Sequence, residues 1–337
     1  MTEHTAAHRQ RRHRSGWVLL ALLFVSLLSL AVSLLSGSYP ISGHDCLAML
    51  NGNIDTPAYF VLHDLRWPRA VTAFTTGGLL ALAGVLMQVL LRNPLADPYV
   101  LGISGGASVF ALFGMWLGVS AAVVHLGAFA GALLSMLLVF ALAHGRGVWT
   151  ATRMLLTGVV LASGWGALIS FVLSIAPEQN LRGMLFWLMG DLSYAQLSWP
   201  SLLILLGGLG LALLWARALN ILAIGSVQAK TLGVPVERLH WQIFLLASLL
   251  TAVAVMQAGS IGFIGLIIPH LLRLAGLHDH RWLLPAAVAA GGSLLLLADT
   301  LTRSLYTQVS LPVGVFTALV GVPIFLYLMQ RHESQRL

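Results

Sequence analysis

The sequence predicts an all-α integral membrane protein of about ten transmembrane helices, and three observations predict it. Only 9% of its 337 residues are charged while 58% are hydrophobic. Soluble domains carry roughly 25% charged residues, so a water-facing surface could not be covered and the solvent must be lipid. The apolar residues gather into runs of the length that crosses a bilayer, about 20 residues. The lysines and arginines fall in alternate connections between those runs, the asymmetry that fixes membrane orientation.

The first run, Trp17–Leu35, follows the basic stretch "HRQRRHR". A signal peptide would have a shorter core of roughly 7–15 residues and a small-residue cleavage site, so this run is expected to be retained as a span. Further runs follow at Val71–Leu91, Val100–Leu117, Ala121–Ala143, Met154–Ile175, Leu197–Trp215, Trp241–Val255, Ile261–Leu274, Trp282–Leu301 and Leu311–Met329. The eighth is short and contains Pro269, which predicts a kinked or tilted segment.

With the N-terminus inside, fourteen of the 18 Lys and Arg residues lie on the inner side. Only Arg66, Arg69, Arg182 and Arg303 lie outside. Both termini are therefore placed in the cytoplasm, with a basic tail over residues 1–16, one membrane domain over 17–330 and a short tail over 331–337. The net charge of +7 is topological, which removes nucleic acid as a partner.

Several chemistries are excluded. The one lysine, Lys230, does not follow glycine, so the chain has no phosphate-cradling G-x-x-x-x-G-K-[ST] loop. It has neither H-E-x-x-H nor C-x-x-C, and its single cysteine, Cys46, rules out an internal disulfide. "GISGG", Gly102–Gly106, matches G-x-S-x-G, but it lacks the strand–turn–helix setting of a nucleophile elbow. "HDH", His278–His280, reads as a solvated inner turn rather than a metal site, and His270 as a packed histidine near a helix end. The acidic residues fall almost entirely in loops or at helix ends, so the carboxylate relay of an ion-coupled carrier is missing. No catalytic residue, bound cofactor or metal is expected.

Four stretches carry a resemblance: "LRWPRAVTAF" from Leu65, "GVLMQVLLRNPLADPYVLGISGGAS" from Gly84, "GSIGFIGLIIPHLLRLAGLHDHRWLLP" from Gly259 and "LLADTLTRSLYTQVSLPVGVFTALVGVPIFLYLM" from Leu296. In this order they resemble the permease subunit of type II ABC importers, the FecCD-like family that carries iron siderophores, haem and cobalamin. The resemblance implies ten helices per subunit and a homodimeric pore in the bacterial inner membrane. It implies two ATPase subunits below, which use ATP and magnesium, and a periplasmic binding protein above. It points to an iron chelate, haem or a ferric siderophore, as cargo, with cobalamin as the alternative. An ion-coupled secondary carrier is the reading from a different class, and a structural membrane anchor a weaker one.

The resemblance also implies residue roles. Arg66, Arg69 and Arg303, three of the four outer cations, would receive acidic residues of the binding protein, and opposite charges of that kind set orientation and association rate. Asp299 lies four residues before Arg303, a spacing that favours an intrahelical pair. The inner loop at about 217–240 would hold the ATPase-coupling helix. Its segment Ser226, Val227, Gln228, Ala229 to Leu232 is helix-compatible, and Gly233 would close it in a left-handed cap. Asn93 and Leu95, with Thr150 and Thr152 before the fifth span, would form a cytoplasmic gate. Met184, Trp187 and Met189 are candidates for lining the pathway, though packing at an interface accounts for them better.

Overall fold

The computed structural model describes residues 2–42, 44–45, 56–144, 151–193, 198–305 and 311–333, and every regular element among them is helical. The helices are α1 (Thr2–Leu35), α2 (Pro57–Leu90), α3 (Ile103–Trp116), α4 (Ala121–His144), α5 (Ala151–Ile175) and α6 (Glu178–Leu188). They continue with α7 (Trp199–Leu214), α8 (Ala216–Ile224), α9 (Ser226–Thr231), α10 (Val236–Ala258), α11 (Ile264–Leu274), α12 (His280–Leu305) and α13 (Val313–Glu333). Six of these are long and apolar enough to cross a membrane. Helices α7 and α8 together make a seventh such stretch, bent by 61°, and α3, α11 and most of α13 are shorter apolar helices. Each of the ten predicted runs thus falls on apolar helix.

Three boundaries differ from the sequence reading. The third run begins as a 3₁₀ turn, Pro98–Leu101, and only then becomes α3. The eighth is cut to eleven residues, roughly 16 Å of rise, because Gly259, Gly262 and a left-handed Phe263 (φ 72°) keep the preceding chain irregular. The inner loop at 217–240 is mostly helix, since α8, α9 and the start of α10 occupy it with breaks only at Gly225 and near Gly233. At the other end, α2 passes through a π-helical stretch at Val61–Arg66, where the Trp67 N–H reaches back to the Leu62 carbonyl. Pro68 has no N–H to close an α-turn there, and a wider turn is the ordinary response.

Helix α2 is the centre of the molecule and packs against α12, α10 and α11. Lipid tails are as apolar as leucine, so association rests on close approach at small residues. Here that approach is extreme. A Cβ on Gly84 would lie 1.9 Å from the Gly265 carbonyl oxygen, and one on Gly77 would lie 2.2 Å from that of Gly291. These two crossings seat α11 and α12 directly on the α2 backbone.

Candidate functional site

The residues singled out in the sequence collect at two opposite ends of the bundle. At the end that the charge bias places outside, Arg66, Arg69 and Arg303 converge from α2 and α12 around a cavity of about 570 Å³. Its wall also includes Gly37, Asp64 and Ser193. Arg66 is buried and donates to the carbonyls of Leu34 (2.8 Å), Leu35 (3.1 Å) and Tyr39. It therefore caps the C-terminus of α1, whose last carbonyls have no intrahelical donor. Gly37 makes room for it, since a Cβ there would sit 2.7 Å from Arg66 Nη2.

Asp299 is buried; the i,i+4 pair with Arg303 that the helix spacing predicts is present, and Arg69 makes a closer one. Arg69 Nε donates to both carboxylate oxygens (3.1 and 2.9 Å) and Nη2 to Oδ1 (2.8 Å). Arg303 Nε stands 3.9 Å away, because its guanidinium has turned to Ser33, whose Oγ it reaches at 2.9 Å and whose carbonyl it also engages. A planar guanidinium matches a carboxylate in two places at once, so the cross-helix fork is tighter than the i,i+4 pair. The three arginines tie α1, α2 and α12 together, with Asp64 in the same wall and Asp191 near enough to act on Arg69.

At the inner end, α9 has the predicted cap. The Gly233 N–H donates to the Lys230 carbonyl (3.0 Å) and the Val234 N–H to that of Ala229 (2.9 Å), with Gly233 at φ 80°. That pair of bonds is a Schellman motif, which satisfies the terminal carbonyls of so short a helix. Ala229 is buried against the bundle, while Val227 and Leu232 are 71% and 65% exposed. Ser226 and Gln228 lie on the same short helix. The "HDH" turn is only partly solvated: His280 is buried, bonded to Asn220 of α8 through its backbone N–H (2.9 Å) and its Nδ1 (2.6 Å). His270 of α11 packs edge-on against Phe325 of α13, ring centroids 6.4 Å apart.

The connection from α2 to α3 is built from two side-chain turns. Asn93 Oδ1 accepts from the Leu95 N–H (2.9 Å), and Asp97 Oδ1 from the Tyr99 N–H (2.7 Å). Burial pushes the Asp97 carboxyl up to about 6, against the lowering effect of the Tyr99 N–H. Burial also raises the Tyr99 phenol, whose oxygen accepts from the Ile261 N–H at 3.3 Å. The 3₁₀ turn lies on α5 at Gly158, where a Cβ would fall 2.3 Å from the Val100 carbonyl oxygen. Gly102 (φ 70°) starts α3, its carbonyl accepts from Ser135, and Ser135 accepts in turn from Trp165 of α5. The turn and α5 therefore belong to one packed unit. Leu95 is exposed on it, Thr152 is exposed at the start of α5, and Thr150 lies outside the described residues.

Of the three pathway candidates, Met184 is fully buried, Trp187 nearly so and Met189 41% exposed. Their segment is clamped from both sides, for a Cβ on Gly259 would meet the Trp187 carbonyl at 2.1 Å and one on Gly314 the Met189 carbonyl at 2.0 Å. Sequence reasoning missed a different surface. Helix α5 exposes Ser163, Gly164, Gly166, Ala167, Ser170 and Ser174 along its length. Three of its serine hydroxyls bond back to carbonyls of the same helix. Only a count of small residues could have marked this face, because its hydropathy does not.

A family model described as the FecCD transport family matches residues 22–331. The hemin transport system permease protein HmuU of Yersinia pestis is 38% identical, over 97% of this chain and 98% of its own length. The vitamin B12 import system permease protein BtuC of Escherichia coli O17:K52:H18 is 37% identical, over 96% of this chain and 98% of its own. Among solved structures, an inward-facing conformation of a metal-chelate type ABC transporter superposes with a TM-score of 0.83 at 30% identity, covering 94% of this chain and 99% of that one.

Proposed function

This chain belongs to the FecCD transport family and is a multi-pass ABC importer permease, and from that premise we propose how its two ends divide the work. Two copies form a pathway through the bacterial inner membrane for an iron chelate, haem or a ferric siderophore. A periplasmic binding protein delivers the cargo to the outer arginines, and two separate ATPase subunits, using ATP and magnesium, act on α9. The chain itself performs no chemistry. Its contribution is to favour one open end or the other, as each partner binds one state better.

The observation that carries this reading is α9. Val227 and Leu232 are exposed on a short capped helix outside the apolar bundle, at the end the charge bias assigns to the cytoplasm. Apolar side chains held rigidly in water suit a protein partner. The opposite end supports the binding-protein role through Arg69 and Arg303, which keep part of their surface open on the cavity wall, whereas Arg66 is buried. The small-residue face of α5 supports pairing of two copies, because such residues favour helix–helix contact over lipid. The half-buried Asn93 and the exposed Leu95 and Thr152 would then form the gate at the cytoplasmic mouth.

Haem and vitamin B12 permeases match at nearly equal identity, so cobalamin stands as the second cargo. The test is uptake into vesicles holding this chain with its ATPase subunit and binding protein. Haem, a ferric siderophore and cobalamin compete, and ATP is withheld in one arm. ATP-dependent haem or siderophore uptake is expected. Uptake by the chain alone, following an ion gradient, would overturn the assignment.

A further inference from the structure

Helix α12 is fastened at both ends by polar side chains from other helices. Its outer end carries Asp299, forked by Arg69. At its inner end the first orphan N–H, that of His280, goes to Asn220 Oδ1 (2.9 Å) of α8. The same oxygen takes the His280 ring at 2.6 Å. An amide oxygen only accepts, so His280 carries its proton on Nδ1. The Asn220 amide then donates to Asp279 Oδ1 at 2.7 Å, and that oxygen also accepts the Arg281 N–H at 3.0 Å. One side chain of α8 thus holds three groups at the start of α12.

The position of α8 gives this knot its meaning. It packs against α9 on one side and α12 on the other, and a single residue, Gly225, separates it from α9. From His280 to Asp299 is nineteen residues of one helix, roughly 29 Å of rise. The Gly77–Gly291 crossing leaves α12 no slack against α2. We propose that Asn220 is the positioning residue through which displacement of the α8–α9 pair is passed to α12, and so to the arginine cluster at the outer end. The inference rests on α9 being the ATPase contact. Ordinary packing between α8 and α12 transmits a push; the three-bond knot also transmits a pull, which a rigid-body shift requires in one of its two directions.

The test uses the assembled transporter with its ATPase subunits and binding protein in vesicles. Asn220→Ala is expected to leave assembly and basal ATP hydrolysis in place while binding-protein stimulation falls about tenfold, the scale of an ordinary coupling between sites. A spin label at the exposed Leu301 of α12 should move on ATP addition in the parent protein and stay still in the variant, a readout that lost stability alone would not produce. Asn220→Asp opposes two carboxylates and should fail likewise. Combined with Asp279→Asn it re-forms the three bonds of residue 220 with amide and carboxylate exchanged, at the loss of the Arg281 N–H bond, and should recover most of the stimulation. Should Asn220→Ala not assemble, Asn220→Ser, which loses the Asp279 bond, is judged by the same label. Full stimulation with the label still moving in the single variant overturns the proposal. Val227→Asp on α9 separates the two readings: if it uncouples while Asn220→Ala does not, only this inference fails, and if it leaves stimulation intact the ATPase-contact reading fails instead.

Discussion

Helices α2 and α5 have nearly the same average hydropathy, yet 89% of the apolar stretch of one is buried and only 17% of the other. Hydropathy reports that a segment avoids water and is silent on whether lipid or protein replaces it. What separates the two is the use of small residues. In α2 Gly77 and Gly84 meet backbone, at Gly291 and Gly265. In α5 only the Gly158 end does so, while Gly164 and Gly166 have nothing within 4 Å. The first helix is a fixed axis, and the second presents a surface for something outside this chain.

The contrast can be broken most severely at Gly84. Gly84→Leu drives a side chain into the α11 backbone, and no folded protein should be recovered by size-exclusion chromatography in detergent; a monodisperse variant would refute the axis. Next in size is Asp299→Ala, which removes the buried carboxylate that the half-buried Arg69 forks. Losing hydrogen bonds to a charged group costs about 1.5–3 kcal/mol, to be read as a lowered unfolding midpoint. Ser135→Ala removes the link joining α5 to the turn before α3 and leaves Trp165 Nε1 unpaired, while the Gly102 carbonyl keeps the Gly106 N–H, costing about 1–3 kcal/mol.

Asp97 sharpens the comparison at the seat of α5. Its folded pKa of about 6 lies above the ordinary 3.8, so the fold favours the protonated carboxyl. That contribution is fully present below pH 4 and is lost as pH rises through 6. Asp97→Asn keeps the acceptor for Tyr99 and has no charge to bury. Its thermal midpoint should gain on the parent's between pH 4 and 7, and parallel curves would contradict the assigned burial. The smallest effect on stability belongs to Gly164→Ala. It should change stability by no more than about 0.5 kcal/mol and still lower vesicle uptake, if the α5 face meets the second copy.

The division between legible and illegible follows interaction range. The α9 cap could be read because Gly233 and Pro235 act within a few residues. The Asn93 and Asp97 turns were readable for the same reason. The Asp299–Arg303 pair was readable from local spacing, whereas the closer fork from Arg69, 230 positions away, was not. Asn220 carries no motif at all, and its importance arises only once α8 folds back on the start of α12. Met184 and Met189 share a segment and a chemistry, yet one is buried and the other exposed.

The amino-acid order alone determined that the chain lives in lipid, where its apolar stretches lie and where the short helix α9 stops. Those properties sum over single residues or close neighbours. Which apolar face meets protein, and which arginine owns the buried carboxylate, was decided only by the tertiary structure, because glycine-to-backbone contacts set helix positions to tenths of an ångström and polar partners are chosen by what those positions bring within reach.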